Sequence, residues 1–187
     1  MKLSPKTVSL FAAASALALS ACGEPADTTP ETETAEPAEA PAQTATAMLK
    51  DTDGNDVGTA TATETADGLA IALNVTGMPA GEHGAHIHTT GDCSAADFTS
   101  AGGHWNPMDV NHGTESEAPN PHAGDMPNLV VAEDGTGTLE ATSNGTFAGL
   151  MDEDGSAFVV HANADDYMSQ PSGDAGPRLA CGVFTAG

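Results

Sequence analysis

Seven histidines fall between residues 83 and 161 of this 187-residue chain, and none stands elsewhere. Neutral imidazole is the commonest metal-ligating side chain in proteins, so the spacing of these seven bears directly on chemistry. His86 and His88 stand two apart in the apolar run Ala85-His86-Ile87-His88. In an extended segment such residues share a face, so both rings can meet one ion. His161 closes another apolar run, Phe158-Val159-Val160, and can approach the same ion across a sheet. His104, His112, His122 and Asp125 follow one another along a Gly- and Pro-containing stretch. His122 and Asp125 form a short chelating pair, while His104 and His112 need loop folding to join them. Three imidazoles and one carboxylate suit tetrahedral Zn(II); an all-imidazole set suits Cu(II). A lone histidine is ordinarily structural or exposed, and metal-buffering tracts are low-complexity runs. These histidines are instead spread over separate segments, which points to a two-metal site.

Strands must position them. Residues 47–50, 57–64, 69–76, 85–88, 129–132, 136–141, 147–151, 158–161 and 179–184 are short runs rich in Thr, Val, Ile, Leu and Ala. Asp53-Gly54-Asn55, Asp67-Gly68, Asn144-Gly145 and Asp154-Gly155 separate several of them as turns. No long helical periodicity and no internal repeat interrupts the pattern, so the domain reads as all-β, a sandwich or barrel. Residues 89–128 and 163–178 lack strand character. Loops of that length in a compact domain are usually functional or tied down. Asp51-Thr52-Asp53-Gly54-Asn55-Asp56 faintly suggests a calcium loop, but it lacks the later acidic ligand and reads better as a hairpin turn.

Composition narrows the function. Four Lys and Arg oppose 27 Asp and Glu, a formal net charge of −23, which disfavours nucleic acid and anionic lipid surfaces as partners. Lys2 and Lys6 precede the apolar stretch Val8 to Leu19, which is too short to span a membrane and fits a secretory signal. It ends in Leu19-Ser20-Ala21-Cys22, which resembles a bacterial lipobox. Residues 1–21 are therefore expected to be a lipoprotein signal peptide, with Cys22 as the lipidated N-terminus. The alternative is an ordinary signal with an incidental cysteine. Residues 22–46, rich in Ala, Pro, Thr and acids, are expected to form a disordered tether of about 25–30 Å or more; a cleaved propeptide is the weaker alternative. Residues 47–187 form the folded domain. Cys93 and Cys181 then remain for one intramolecular disulfide in an oxidising compartment, with two buried thiols as the alternative. Closing so long a loop is worth about 4–5 kcal/mol in the chain-entropy model.

Gly84-Ala85-His86-Ile87-His88 with Gly91-Asp92-Cys93 resembles the first signature of the copper–zinc superoxide dismutases, and Gly173-Asp174-Ala175-Gly176-Pro177-Arg178-Leu179-Ala180-Cys181-Gly182-Val183 resembles the second. Ser100-Ala101-Gly102-Gly103-His104-Trp105-Asn106-Pro107, Pro121-His122-Ala123-Gly124-Asp125 and Val159-Val160-His161-Ala162-Asn163-Ala164-Asp165-Asp166 match between them in order and spacing. Asp166-Tyr167-Met168-Ser169-Gln170-Pro171-Ser172-Gly173 is similar to the bacterial branch. The resemblance covers essentially all of residues 47–187.

That resemblance implies an eight-stranded Greek-key barrel or sandwich with two long functional loops. It implies copper on His86, His88, His104 and His161, and zinc on His104, His112, His122 and Asp125, with His104 bridging as an imidazolate. Asp165 resembles the carboxylate that links a copper histidine to a zinc histidine, and His83 a structural histidine bonded to backbone. Cys93 and Cys181 match the family's intrasubunit disulfide. Arg178, the only arginine, stands where the family docks its substrate anion. The implied reaction is dismutation of superoxide to O2 and hydrogen peroxide by copper cycling between Cu(II) and Cu(I), with His104 and Arg178 taking part. The alternative functions are a non-catalytic copper/zinc carrier or metal-buffering lipoprotein on the same fold, or a purely structural lipoprotein domain. Ala85, Trp105 and Pro177 depart from the family pattern, and residues 163–178 carry acids but no lysine. The expected location is the periplasm or cell envelope, anchored by lipid, with the outer membrane favoured. A homodimer is compatible with the resemblance, as is a monomer.

Overall fold

The computed structural model describes residues 42–113 and 121–187. The signal peptide, Cys22 and most of the tether lie outside the described residues. The strands are β1 (Thr44–Asp51), β2 (Asp56–Thr65), β3 (Gly68–Val75), β4 (Gly81–His83), β5 (Ala85–His88), β6 (Leu129–Val131) and β7 (Gly137–Ser143). A helical turn, α1 (Phe147–Leu150), precedes β8 (Ala157–His161) and β9 (Arg178–Ala186). All pairings are antiparallel, in the order β4-β6-β7-β3-β2-β1-β9-β8-β5.

The two ends of that order, β4 and β5, are separated only by Gly84. Counted as one strand bent at Gly84, they close the sheet on itself and reduce nine strands to the expected eight. At the bend Gly84 N–H donates to Asn163 O (2.7 Å), and its carbonyl accepts from His161 N–H (2.8 Å). A Cβ here would lie 2.9 Å from that of Ala175, so the close approach requires glycine. The connection from β3 to β4 passes β7 and β6, and that from β7 to β8 passes β6 and the bent strand. This is a Greek-key path.

Period-2 alternation fills the barrel. Ala45, Ala47 and Leu49 of β1, Leu69, Ile71, Leu73 and Val75 of β3, and Phe158 and Val160 of β8 form one buried cluster. The register jumps from Leu49↔Gly58 to Lys50↔Asp56, a bulge that lets Val57 and Ala60 both face inward despite their odd spacing. β8 is buried on both faces. Its outward Ala157 and Val159 pack with Phe98, Ala101 and Cys181 in a second small cluster beneath residues 93–101, at the start of the long loop. The Cys93–Cys181 disulfide (Cα–Cα 5.9 Å) fastens that loop to β9.

The structure corrects three expectations. Residues 147–151, read as a strand, are instead the turn α1. Thr146 caps it by accepting from Gly149 N–H (3.1 Å), and Phe147 and Leu150, three apart, bury together. The first strand starts at Thr44 rather than Ala47, so the folded domain reaches into the expected tether. Glu64 N–H, for example, donates to Gln43 O (2.8 Å). β4, three residues long, was not legible in the sequence because Gly81-Glu82-His83 carries no apolar alternation. The 51–56 segment is a turn: Asp51 Oδ1 accepts from Asp53 and Asn55 N–H, and Gly54 adopts φ 86°.

Candidate metal centre

β5 carries His86 and His88 on the face opposite Ala85 and Ile87, which enter the core. Because the outward face is covered by loops, all four residues are buried. β8 lies on one edge of β5. The long loop returns along the other, with Ile87 N–H donating to Gly124 O (2.9 Å) and Ile87 O accepting from Trp105 N–H (2.8 Å). Bridges His88↔His104 and His86↔Asp125 belong to this added layer. A Cβ on Gly124 would lie 2.1 Å from Ile87 O, so glycine is required where loop and strand meet. Trp105 is buried in the core cluster together with Ala85. Its ring occupies the space above Gly145 and Gly149, where added Cβ atoms would lie 2.2 and 3.1 Å from it.

The ligand atoms of His86, His88, His104 and His161 converge within 4.8 Å of one another, as do those of His104, His112, His122 and Asp125. The outward nitrogens explain why. His86 Nε2–H donates to Asp165 Oδ2 (2.6 Å), His88 Nδ1–H to Gly102 O (2.9 Å), and His161 Nδ1–H to Gly176 O (3.1 Å). His112 Nε2–H donates to Asp165 Oδ1 (3.0 Å), and His122 Nε2–H to Val110 O (3.0 Å). A neutral imidazole with one N–H committed outward presents a lone pair inward. His88 Nε2 and His161 Nε2 therefore face each other with lone pairs at 3.3 Å, an arrangement that calls for a cation between them. His86 Nδ1, His104 Nε2 and His122 Nδ1 are buried without any hydrogen-bond partner. Orphaned acceptors this deep are costly, and metal ions satisfy them. His104 alone sends no nitrogen outward: Nδ1 faces Asp125 Oδ1 (2.9 Å) and Nε2 faces the other cluster.

Charge divides the clusters. Burial lowers His88 well below the ordinary value, His104 to about 4 and His161 to about 3, with like-charge repulsion among the rings adding to it. Burial also opposes charge on His112, but Asp125 (2.9 Å) and Asp165 (3.0 Å) on its two nitrogens outweigh it and raise it to about 9. Burial alone would raise the Asp125 carboxyl; hydrogen bonds from the His104 and His112 rings, the His122 ring 3.3 Å away and the Gly113 N–H hold it far below the carboxylate range. Asp165 is held low in the same way by His112 and His86.

Arg178 reaches the centre through an irregularity. The β8–β9 register jumps from Val160↔Ala180 to His161↔Arg178, a bulge that skips Leu179. Without it Arg178 would share the inward side of Ala180; with it, Arg178 turns outward beside His161. Its guanidinium donates to Gly102 O (2.6 Å) and to Phe98 O. Arg178, His88, His104 and His161 line a pocket of about 430 Å³ whose outer wall includes Pro171 and Ser172. His83 stays outside both clusters, its nitrogens on His161 O (2.8 Å) and Pro79 O (2.9 Å).

A family model described as copper/zinc superoxide dismutase matches residues 57–184. This chain belongs to the copper/zinc superoxide dismutase family. It is 43% identical to a Cu-Zn superoxide dismutase of Caulobacter vibrioides over 75% of this chain and 84% of that protein. A Cu-Zn superoxide dismutase of Aquifex aeolicus is 40% identical over 74% of this chain and 84% of its own length. Among solved structures, a superoxide dismutase-like protein of Bacillus subtilis aligns with TM-score 0.69 and 36% identity, covering 75% of this chain and 97% of that one. The copper/zinc superoxide dismutase of Brucella abortus aligns with TM-score 0.63 and 27% identity over 76% and 99%. The centre accordingly takes copper and zinc.

Four residues support the centre in ways the sequence did not reveal, although Tyr167, Gln170 and Gly173 lie within the motif Asp166–Gly173 quoted above. Asn128 holds Asp165 by its backbone, Oδ1 accepting from Asp165 N–H (2.8 Å) and Nδ2 donating to its carbonyl (2.9 Å). Tyr167 OH accepts from Asn128 N–H (2.8 Å). Gln170 bonds the backbone of His112. Gly173 leaves room for the Asp165–His112 link, which any Cβ would enter. The motif flagged three of them without giving their targets, and Asn128 carried no signal beyond its place between two ligand-bearing loops.

Proposed function

We propose that this chain is an exported dismutase that converts superoxide to O2 and hydrogen peroxide, with copper held by His86, His88, His104 and His161 and zinc by His104, His112, His122 and Asp125. The observation that carries the assignment is that His104 points both ring nitrogens into clusters, whereas each other ligand histidine commits one outward. The cluster containing a carboxylate suits zinc, and the all-imidazole cluster facing the pocket suits copper. When bound, copper supplies electron exchange between Cu(II) and Cu(I), turning two superoxide anions and two protons into O2 and hydrogen peroxide, while zinc is redox-inert.

The chain supplies docking, orientation and a proton. Arg178 spends N–H groups on Gly102 O and Phe98 O and keeps others for a small anion in the pocket. Gly102 O also accepts from His88 Nδ1–H, so one carbonyl fixes both the docking cation and a copper-side ring. His104 Nε2 lies on the pocket side and can carry a proton, while Nδ1 remains directed at the Asp125 cluster. Asp165 fixes the tilt of His86 and His112 together, so the two clusters share one support.

The test is superoxide decay followed by stopped flow on the exported chain loaded with one copper and one zinc. Catalytic decay with many turnovers per copper is expected. Stoichiometric consumption by a folded, fully loaded chain would establish the carrier reading instead. The lipobox-like Leu19-Ser20-Ala21-Cys22 supports lipidation at Cys22 and attachment to the envelope, with the outer membrane favoured. Labelling with an alkyne-tagged fatty acid should mark the wild type and not Cys22→Ser.

A further inference from the structure

The segment between Asp165 and Arg178 touches both halves of the centre. Pro171, Ser172 and Gly176 line the pocket that Arg178 and the copper-side histidines share. The residue just before Pro171 faces the other way. Gln170 Oε1 accepts from His112 N–H at 2.8 Å, and its Nε2 donates to His112 O at 3.0 Å. A second bond from Nε2 to Met168 O (3.0 Å) fixes the rotamer. The side-chain amide thus pairs with both polar groups of one backbone residue, as a neighbouring strand would.

Glycines let the two loops meet around this contact. A Cβ on Gly113 would lie 1.9 Å from Tyr167 O, and one on Gly173 would lie 1.8 Å from Asp165 Oδ1 and 2.7 Å from His112 Nε2. The ring of His112 is therefore held by Asp125 and Asp165, and its backbone by Gln170. Neither Gln170 contact reaches a metal-ligand atom. What Gln170 determines is where the His112 backbone sits relative to the pocket wall one residue further on.

We propose that Gln170 is a positioning residue that couples zinc binding at His112 to anion binding in the Arg178 pocket. This rests on the assignment of zinc to the His112 cluster. Ordering His112 with zinc orders Gln170, hence Pro171 and Ser172, hence the pocket wall. Such coupling is reciprocal: zinc tightens the anion site and an anion tightens the zinc site by the same factor.

The experiment uses the full exported chain loaded with copper, azide as the anion probe, and zinc added or withheld. Azide affinity is read from the Cu(II) absorption spectrum, and zinc affinity from chelator competition. In the wild type, zinc should tighten azide binding by about fivefold or more. In Gln170→Ala that factor should fall to about one and zinc affinity by about tenfold, the scale expected when support of a ligand is lost. Azide affinity without zinc should match the wild type. Gln170→Glu keeps the acceptor for His112 N–H and should be intermediate; Ser169→Ala, which loses only its contact with Asp166, should behave as wild type. Unchanged zinc-dependence of azide binding in Gln170→Ala overturns the proposal, even if the melting temperature falls. A wild type that takes no zinc at this cluster overturns the zinc assignment and the coupling together.

Discussion

The two halves of the metal centre share His104 and are otherwise built on different principles. His86, His88 and His161 stand on paired strands, β5 and β8, where backbone hydrogen bonds leave little freedom. The inward nitrogens of His88, His104 and His161 are uncharged lone pairs, and these three rings line an open pocket with a guanidinium. His112, His122 and Asp125 stand on loop, sealed from that pocket, with a carboxylate among the ligands and a proton held tightly on His112. A rigid neutral half fits an ion that must change charge and meet substrate; a charged, enclosed half fits one that stays put. Position and electrostatics, more than ligand type, separate their roles.

Removing one ligand from each half tests that separation most severely. His161→Ala should lower the superoxide rate constant by more than about 100-fold, beyond what loss of a supporting partner costs. His122→Ala should keep measurable catalysis at full copper loading while losing zinc, read by metal analysis and stopped flow. Equal losses would mean that the halves do not divide the work.

Asp165 is where the division should blur. Its two oxygens accept from His86 and His112, so Asp165→Asn leaves one of those rings without an acceptor. An amide also cannot balance charge as the carboxylate does. Zinc affinity should fall about 10–100-fold, with a smaller loss for copper, measured by chelator competition. A loss confined to one metal would show that the shared support is not shared in energy.

Protons distinguish the halves next. At neutral pH zinc must displace the proton on His112, so zinc affinity should rise with pH until about 9. His104 and His161 shed their protons at about 4 and about 3, so these two rings should add little pH dependence to copper affinity above about pH 5. The metal-free protein carries the same signs. His112 has a folded pKa above its unfolded value, so its contribution is fully present below about pH 6.5 and is lost as pH rises through about 9. His104 and His161 have folded values below, so stability falls as pH drops from about 6.5 towards 3. Melting temperature of metal-free protein should therefore peak near neutrality, and His112→Gln should remove the alkaline slope alone.

Local pattern revealed most of this centre, and tertiary contact supplied the remainder. His86 and His88 were readable because a strand sends i and i+2 to one face, and His161 because an apolar run ends on it. The bulge that turns Arg178 outward was not readable, since Arg178-Leu179-Ala180 looks like any strand start. Phe147-Ala148-Gly149-Leu150 has strand-like composition, and only the Thr146 cap and the pairing of Phe147 with Leu150 decide for a turn. Asn128 and Gln170 act through amides on distant backbone, and an amide in a polar loop carries no local signal of its target.

The smallest expected effect concerns salt. Arg178 is surrounded by a chain of net charge −23, and among the described residues its only fellow lysine or arginine, Lys50, is paired with Asp56. Superoxide approaching from afar meets the summed acidic field before it meets Arg178. At about 0.1 M salt the screening length is about 10 Å, so added salt screens the distant carboxylates more than the cation within the pocket. The rate constant should therefore stay flat or rise slightly from about 10 mM to 0.15 M salt, in contrast to the steep fall that attractive steering produces. In Arg178→Ala the rate should drop by about tenfold and then rise more clearly with salt, because only repulsion is left to screen. A wild-type rate that falls steeply with salt would place an attractive field outside the pocket, and the neutral half would no longer depend on Arg178 alone for its substrate.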